Sequence, residues 1–269
     1  MVTSAGSTHE KFVLAALAAR KPVFCEKPLA TTVDGCRRIV DAEIAIGKRL
    51  VQVGFMRRFD PAYRAMRRSL KSGAVGSPLF FHSVHRNPAT HSRFESDMIF
   101  NDVSVHDIDI ARWLLQDEVS GVSVYFPRRN TRSPQGLQDP VMILLEMKKG
   151  TLVDIELSVN VGYGYDIRGE ISGESGSISL SETNHLVMKS EGAFRGSVMA
   201  DWRGRFDAAF EAELREWIEA AAVGSATGPS SWDGYVSTLV ADTALKAANN
   251  GRLSVSIPAR SSVYDVDET

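Results

Sequence analysis

The sequence predicts a short parallel α/β unit followed by an α+β domain built on a large, mostly antiparallel open sheet. Residues 7–73 alternate helix-like and strand-like segments, which is the order of a parallel sheet flanked by helices. From 119 to 190 strand-like segments dominate, separated by turn residues. Two long helix-like segments then close the chain. With 269 residues, 43% hydrophobic and 24% charged, the chain is long enough for one large or two medium domains.

Ser7-Thr8-His9-Glu10 fits a capping box, with Ser7 as N-cap and Glu10 at the third helical position. A helix is expected through FVLAALAAR, ended by Pro22, and Val23 to Cys25 form a short strand. Val33 to Ile46 reads as a second helix with Gly47 as its stop. Arg49 to Phe55 is a second strand. Asp60-Pro61 supplies an N-cap and a first-position proline for a helix ending near Gly73. LFFHSVH at 79–85 is strand-like. Phe100 to Leu115 is helix-like, since Ile99, Val103, His106, Ile110 and Trp113 recur at helical spacing. The strands VSVYF, VMILLEM, TLVDIELSV, YDIRGEIS and SISLSE follow, with Lys148-Lys149-Gly150 as a hairpin turn. Val153, Ile155, Leu157 and Val159 alternate with Asp154, Glu156 and Ser158, so this sheet has one apolar and one polar face. Helices are expected near 207–222 and 233–249. A domain boundary falls near residue 54, giving units 1–53 and 54–269. Met1 to Ser4 reads as the tail of a strand.

Composition excludes several classes. A net charge of −2 and a pI near 6.3 do not provide the basic face of a nucleic-acid binder. No run of 18 apolar residues suggests a membrane span, and the N-terminus lacks the basic-then-apolar pattern of a signal peptide. Cys25 and Cys36 read as reduced thiols of a cytoplasmic protein.

Three groups carry candidate chemistry. Lys27 ends the strand of VFCEKPLA, close to an expected helix start where the dipole disfavours a cation. A ligand-directed lysine and a solvated turn lysine both fit that spacing. Asp102 and His106 lie four residues apart, which places both on one helix face. A carboxylate there is expected to orient the imidazole and raise its pKa, suiting the ring to take a proton. A helix-surface pair remains open, because Asp107 and Asp109 crowd the same turn. His82, His85, His91 and His106 invite a metal reading, but their spacing matches no metal motif and none is expected. Polar groups at a strand end, such as those of HRN at 85–87, suit a hydroxylated ligand better.

The segments VFCEKPLATT, GKRLVQVGFMRRFD, HRNP, VHDID-x-x-RWL, NVGYGYDI, DWRGRF and SWDGY resemble the Gfo/Idh/MocA dehydrogenase family, in family order from residue 2 to about 250. QVGFMRR followed by HRNP and YGYDI points more narrowly to its inositol branch. The resemblance implies an NAD-dependent oxidation of myo-inositol or a closely related cyclitol or sugar to a ketone, with NADP possible. It implies Lys27, Asp102 and His106 as the catalytic set, and substrate contacts at Met56, Arg57, His85, Asn87 and Tyr165. Cofactor contacts would fall on Thr3, Ser4, Ala5, His9, Glu26 and Lys27. The family fold is a Rossmann domain followed by an α/β domain whose open sheet packs against other copies, giving a homo-oligomer, usually a tetramer. No Gly-x-Gly-x-x-Gly lies between a strand and a helix here, and about 70 residues of the family's first half-domain have no counterpart. A fragment or a misplaced start is therefore expected, with weakened cofactor binding. The other readings are a sugar or scyllo-inositol dehydrogenase and a non-catalytic, oligomerising or sugar-binding remnant.

Overall fold

The computed structural model describes residues 1–180, 187–190 and 192–265. Its first unit is a small parallel sheet. Strands β1 (Val23–Glu26) and β2 (Val51–Gly54) pair in parallel. Val2 extends the sheet on the other edge of β1, donating to Phe24 O at 2.8 Å and accepting from the Glu26 N–H at 2.9 Å.

Helix α1 (His9–Ala18) starts differently from the expectation. Gly6–Thr8 forms a 3-10 turn, Thr8 is the N-cap, and no side chain caps the helix. The turn satisfies the Thr8 N–H through Ala5 O at 2.8 Å, so Ser7 has no capping work to do. Glu10 instead takes a bidentate bond from Arg38 at 2.6 and 3.1 Å. That residue lies on α2 (Val33–Ile46), which begins and ends where the sequence places it: Thr32 accepts from the Gly35 N–H and Gly47 closes the helix at φ 72°. Helix α3 (Pro61–Lys71) is likewise capped by Asp60, which accepts from the N–H groups of Ala62 and Tyr63.

The second unit is the larger sheet. After β3 (Pro78–Arg86) a single helical turn, α4 (Ser96–Met98), leads into a π-helical stretch, Ile99–Ser104, and then α5 (Val105–Leu115). Strands β4 (Val119–Tyr125), β5 (Val141–Met147), β6 (Leu152–Ser158), β7 (Asp166–Gly173) and β8 (Ser177–Ser179) follow. The expected strand SISLSE continues into 181 and 182, which lie outside the described residues. A separate hairpin, β9 (Val187–Ser190) with β10 (Ala193–Gly196), precedes α6 (Trp202–Ala222), α7 (Ser231–Asn250) and β11 (Leu253–Ser254). The seven-stranded order is β11-β4-β5-β6-β3-β7-β8, and β3–β6 is the parallel pair in an otherwise antiparallel sheet.

Strand parity decides what meets what. On β3 the residues Phe81, Ser83 and His85 point inward and are buried, while Phe80 and His82 face out. Val141, Ile143 and Leu145 of β5 and Val153, Ile155 and Leu157 of β6 complete that inner face. Helices α5 and α7 pack there, and α7 also lies on α2 and β2. The Val53 N–H donates to Pro229 O at 2.8 Å, and a Cβ at Gly234 would sit 2.8 Å from the Leu29 Cβ. The segment 229–250 thus shares a core with the residues before 54. No helix among the described residues is long and apolar enough to cross a membrane.

Helix α6 covers the face of the small sheet that bears Phe24, and Trp217 meets that ring edge-on at 5.9 Å. One turn earlier Glu213 is fully buried, with no hydrogen-bond partner on either oxygen. Burial, then the charges of Glu26, Asp109 and Glu216, push its carboxyl well above the usual range. A raised carboxyl pKa contributes stability below the unfolded value, and that contribution is lost as pH rises through the folded one. Relative to Glu213→Gln, the native protein should therefore lose melting temperature between pH 5 and pH 8, by on the order of a few degrees. Parallel melting curves of the two proteins at both pH values test this, and a constant difference would refute it.

Candidate active site

A cavity of about 610 Å³ opens between the C-terminal ends of the small parallel strands and the ends of β3 and β7. Carboxyl ends of parallel strands are where open α/β sheets take ligands. Thr3, Ser4, Glu26 and Lys27 form the wall from the first unit. Met56, His85, Asn87, Asp102, His106 and Tyr165 form the wall from the second.

Helix α2 begins at Val33, so Lys27 sits on a loop and its charge does not oppose a helix dipole. It is half-buried and paired. Its Nζ donates to Asp102 Oδ1 at 2.5 Å and to Asp102 O at 3.0 Å. Asp102 lies in the π-helical stretch, a helical irregularity that recurs at functional sites. The carboxylate expected to orient His106 is thus bound to the lysine, and no hydrogen bond joins Asp102 to His106.

His106 lines the cavity, and its ring lies 6.0 Å edge-on to Phe55 and 6.4 Å from the His85 ring. Its Nδ1 is sealed from solvent and has no hydrogen-bond partner. Burial, then the positive charges of Lys27 and Arg57, hold its pKa well below the ordinary histidine value. The sequence expectation of a raised pKa is therefore reversed. Desolvation and the charges of Lys27 and Arg57 outweigh the opposing carboxylate, which is that of Asp107 and not that of Asp102.

Behind the cavity wall lies a buried network. Asp107 Oδ1 accepts from Arg57 Nη1 at 2.6 Å and from Ser83 Oγ at 2.9 Å. Asp107 Oδ2 lies 2.8 Å from His85 Nδ1, and Arg57 Nη2 lies 3.0 Å from the same nitrogen. Asp107 and Asp109 are 0% and 1% exposed and His106 is also buried, so the turn they crowd is not a helix surface. Burial alone would raise the Asp107 carboxyl, but Arg57 and His85 outweigh it and hold the group ionised. Arg57 does not line the cavity; it stands beneath His85 and braces it. Met56 does line it, from a 3-10 turn, Met56–Phe59, that buries the two arginines within it.

Tyr165 reaches the cavity through a tight backbone approach. Its N–H donates to Met199 O at 2.7 Å, and Gly164 before it holds φ 143°, where a Cβ would come within 2.8 Å of that same oxygen. The phenol packs edge-on to His85 at 6.0 Å, and burial pushes its pKa up to about 12. Asn87, just past β3, is held through its backbone by Ser158 O and the Val161 N–H, with its side chain at the cavity.

Two expected cofactor contacts fall elsewhere. Ala5 does not line the cavity, and neither does His9, which is buried with Nδ1 2.7 Å from Pro28 O and Nε2 2.9 Å from Ser4 O. His9 ties together the two loops that carry Ser4 and Lys27. Of the other histidines, His82 faces out on the sheet and bonds Asp154, while His91 stands on the cavity rim. Sequence reasoning missed Asp201, the N-cap of α6, and Trp202 and Phe210 of that helix, which close the cavity from the far side. The N-cap aspartate and aromatic of DWRGRF were the available signal.

Two family models match the chain. Residues 1–55 match the oxidoreductase family with an NAD-binding Rossmann fold, and residues 63–179 match the GFO/IDH/MocA C-terminal domain. An inositol 2-dehydrogenase of Pseudomonas fluorescens is 46% identical over 265 residues, 98% of this chain and 79% of the relative. One of Acidothermus cellulolyticus is 48% identical over 258 residues, covering 96% and 76%. The crystal structure of myo-inositol dehydrogenase from Lactobacillus casei, in complex with NAD(H) and myo-inositol, superposes with a TM-score of 0.95. It is 35% identical and covers 98% of this chain and 79% of that one.

Proposed function

Because the chain belongs to the Gfo/Idh/MocA family of oxidoreductases, we propose that it oxidises a ring hydroxyl of myo-inositol or a closely related cyclitol to a ketone with NAD. The observation that carries this reading is the convergence of Lys27, Asp102 and His106 on one cavity, with His85, Asn87 and Tyr165 around it.

The residues present fit the reactive end of the cofactor. Thr3, Ser4 and Glu26 stand at parallel-strand ends on one side of the cavity and the imidazoles stand on the other. These residues and Lys27 would hold the nicotinamide end of NAD, which supplies the hydride acceptor when bound.

The remaining chemistry belongs to the chain. His106 is neutral at physiological pH, so a ring nitrogen is free to take the hydroxyl proton. With Nδ1 sealed, Nε2 is the nitrogen left for the substrate. Lys27 hydrogen-bonds the reacting oxygen and favours its developing negative charge. Asp102 fixes the ammonium in place. His85, Asn87 and Tyr165 hold the other ring hydroxyls, and a site that pairs several hydroxyls rejects analogues lacking one.

The test is turnover and binding by the purified protein with myo-inositol, scyllo-inositol and aldoses, each with NAD and with NADP. Calorimetry gives the affinities. NAD-dependent oxidation of myo-inositol supports the reading. Inositol binding without NAD binding replaces it with a sugar-binding module, and a preference for NADP or for an aldose shifts it to a sugar dehydrogenase.

A pH dependence follows from His106. Its proton-accepting form persists as pH falls below about 6.5, the unperturbed histidine value. The acid limb of kcat/KM should therefore lie below that value. A limb at or above it would assign the titration to another group.

The outer face of the large sheet supports assembly with further copies, as the family fold implies. Phe80 and Tyr125 stand 44% and 57% exposed there, beside the half-buried Met142 and Leu144. Light scattering should give a tetramer for the native protein and a smaller species for Tyr125→Asp. An unchanged mass in the variant would move the interface elsewhere.

A further inference from the structure

Two buried imidazoles face the cavity, and they are built differently. His106 Nδ1 is sealed and has no partner. His85 Nδ1 lies 2.8 Å from Asp107 Oδ2. We propose that Asp107 is a positioning residue that fixes the tautomer of His85, so that Nε2 presents a lone pair to the cavity and accepts a hydrogen bond from a substrate hydroxyl. This rests on the dehydrogenase reading above and adds to it the polarity with which the site reads the ring.

The argument runs through donors and acceptors. Asp107 is fully buried, and the guanidinium of Arg57 at 2.6 Å keeps it ionised, so both its oxygens can only accept. Oδ1 takes bonds from Arg57 Nη1 and Ser83 Oγ. Oδ2 then requires a donor from the imidazole, which places the His85 proton on Nδ1. Arg57 Nη2, 3.0 Å from the same nitrogen, cannot be the partner that sets the tautomer. A bare Nδ1 accepting from it would face a carboxylate oxygen at 2.8 Å with no proton between them. Burial, opposed by Asp107 and reinforced by Arg57, keeps the ring below the ordinary histidine pKa and so uncharged near neutrality. A neutral ring with Nδ1–H has a bare Nε2.

The sheet explains why this geometry is rigid. Ser83 and His85 share the inward parity of β3, and Asp107 comes from α5 packed against that face. The strand sets the ring, the helix sets the carboxylate, and both lie beneath the cavity.

The decisive variant is Asp107→Asn. Its amide oxygen can still satisfy Arg57 and Ser83, while its NH₂ turns toward His85 Nδ1 and donates. The ring must then carry its proton on Nε2 and becomes a donor into the cavity, so the shape is kept and the polarity reversed. In the free native protein, ¹⁵N NMR of the imidazoles should show His85 protonated at Nδ1, and in Asp107→Asn at Nε2. The variant should raise KM for myo-inositol about tenfold to a hundredfold, the scale of one site hydrogen bond lost to a mismatched partner. One deoxy-inositol in a panel, the analogue lacking the hydroxyl bound to His85, should show no difference between the two proteins.

A native His85 protonated at Nε2, or an unchanged KM in a folded Asp107→Asn protein, would overturn the proposal. If the variant does not fold, the native NMR assignment alone decides. If the native protein does not oxidise inositol, the dehydrogenase reading fails while the tautomer is still measured in the free protein.

Discussion

Replacing His106 by alanine is expected to lower turnover of a cyclitol at least about a hundredfold, the usual scale of acid–base catalysis by a positioned side chain. The argument rests on what else in the cavity can take a proton near pH 7. Tyr165 has been pushed up to about 12, and the Asp102 carboxylate is bound to Lys27 at 2.5 Å. Glu26 is raised by burial and its Oε2 accepts from the backbone N of Lys27 at 3.3 Å. His85 is neutral but braced from behind by Asp107 and Arg57. Of the two neutral imidazoles, His106 is the one on which the charge of Lys27 acts more strongly, so it is the ring beside the ammonium that meets the reacting oxygen. Added imidazole should restore part of the lost rate in the alanine variant, because the vacated space adjoins an open cavity. Rescue separates a proton-transfer role from a packing role, since a destabilised variant would not respond to it. Turnover within tenfold of native would remove His106 from the step and pass it to His85.

Much of this site was legible in the sequence, but unevenly. Lys27 was readable because a cation ends an apolar strand, and Asp102 and His106 because they lie four residues apart. Their relationship was not readable. The π-helical stretch over Ile99–Ser104 changes the turn on which Asp102 sits, and a lysine 75 residues away takes its carboxylate. Spacing along one helix says nothing about a partner from another unit. Asp107 reads in the sequence only as one of several acids on a crowded turn, and nothing in GFMRR signals that Arg57 is buried against His85. A period-two reading of LFFHSVH would have separated His85 from His82, since only one of them shares the inward parity of Phe81. An inward histidine and serine on one strand face require buried partners, and Asp107 supplies both.

The fold followed local chemistry wherever one residue type had one job. Gly47 stops α2 and Asp60 with Pro61 starts α3, because left-handed backbone and unpaired first-turn N–H groups have few solutions. Where two partners competed, the sequence misled. Glu10 was expected to close a capping box but found a guanidinium on the next helix. The return of α7 onto α2 and β2 depends on tertiary packing, so a boundary drawn along the chain at residue 54 could not anticipate it.

Replacing Arg58 by alanine is expected to destabilise the protein by about 3–5 kcal/mol, the cost of leaving a buried carboxylate without its cation. Arg58 is 5% exposed and binds both oxygens of Asp109, at 2.9 and 2.5 Å, and Asp233 at 3.0 Å. The same aspartate lies 3.6 Å from Arg112, which Glu118 holds through two bonds. These five charges join α5 to α7 and to the turn before α3, so the damage falls on the packing of those three elements. In the native protein burial already pushes the Asp109 carboxyl up, against the pull of Arg58. Without that pull the folded pKa rises further, so the variant takes up a proton on Asp109 more readily. A raised carboxyl pKa means stability that is present below the unfolded value and lost as pH rises through the folded one. The deficit against native should therefore be smallest near pH 4 and grow toward pH 8. Denaturant melts at both pH values measure it. Arg58→Met combined with Asp109→Leu should recover most of the loss, because an apolar pair of similar volume carries no desolvation penalty. Equal stability of the single and double variants would mean that packing around the arginine stem, and not the orphaned charge, sets the cost.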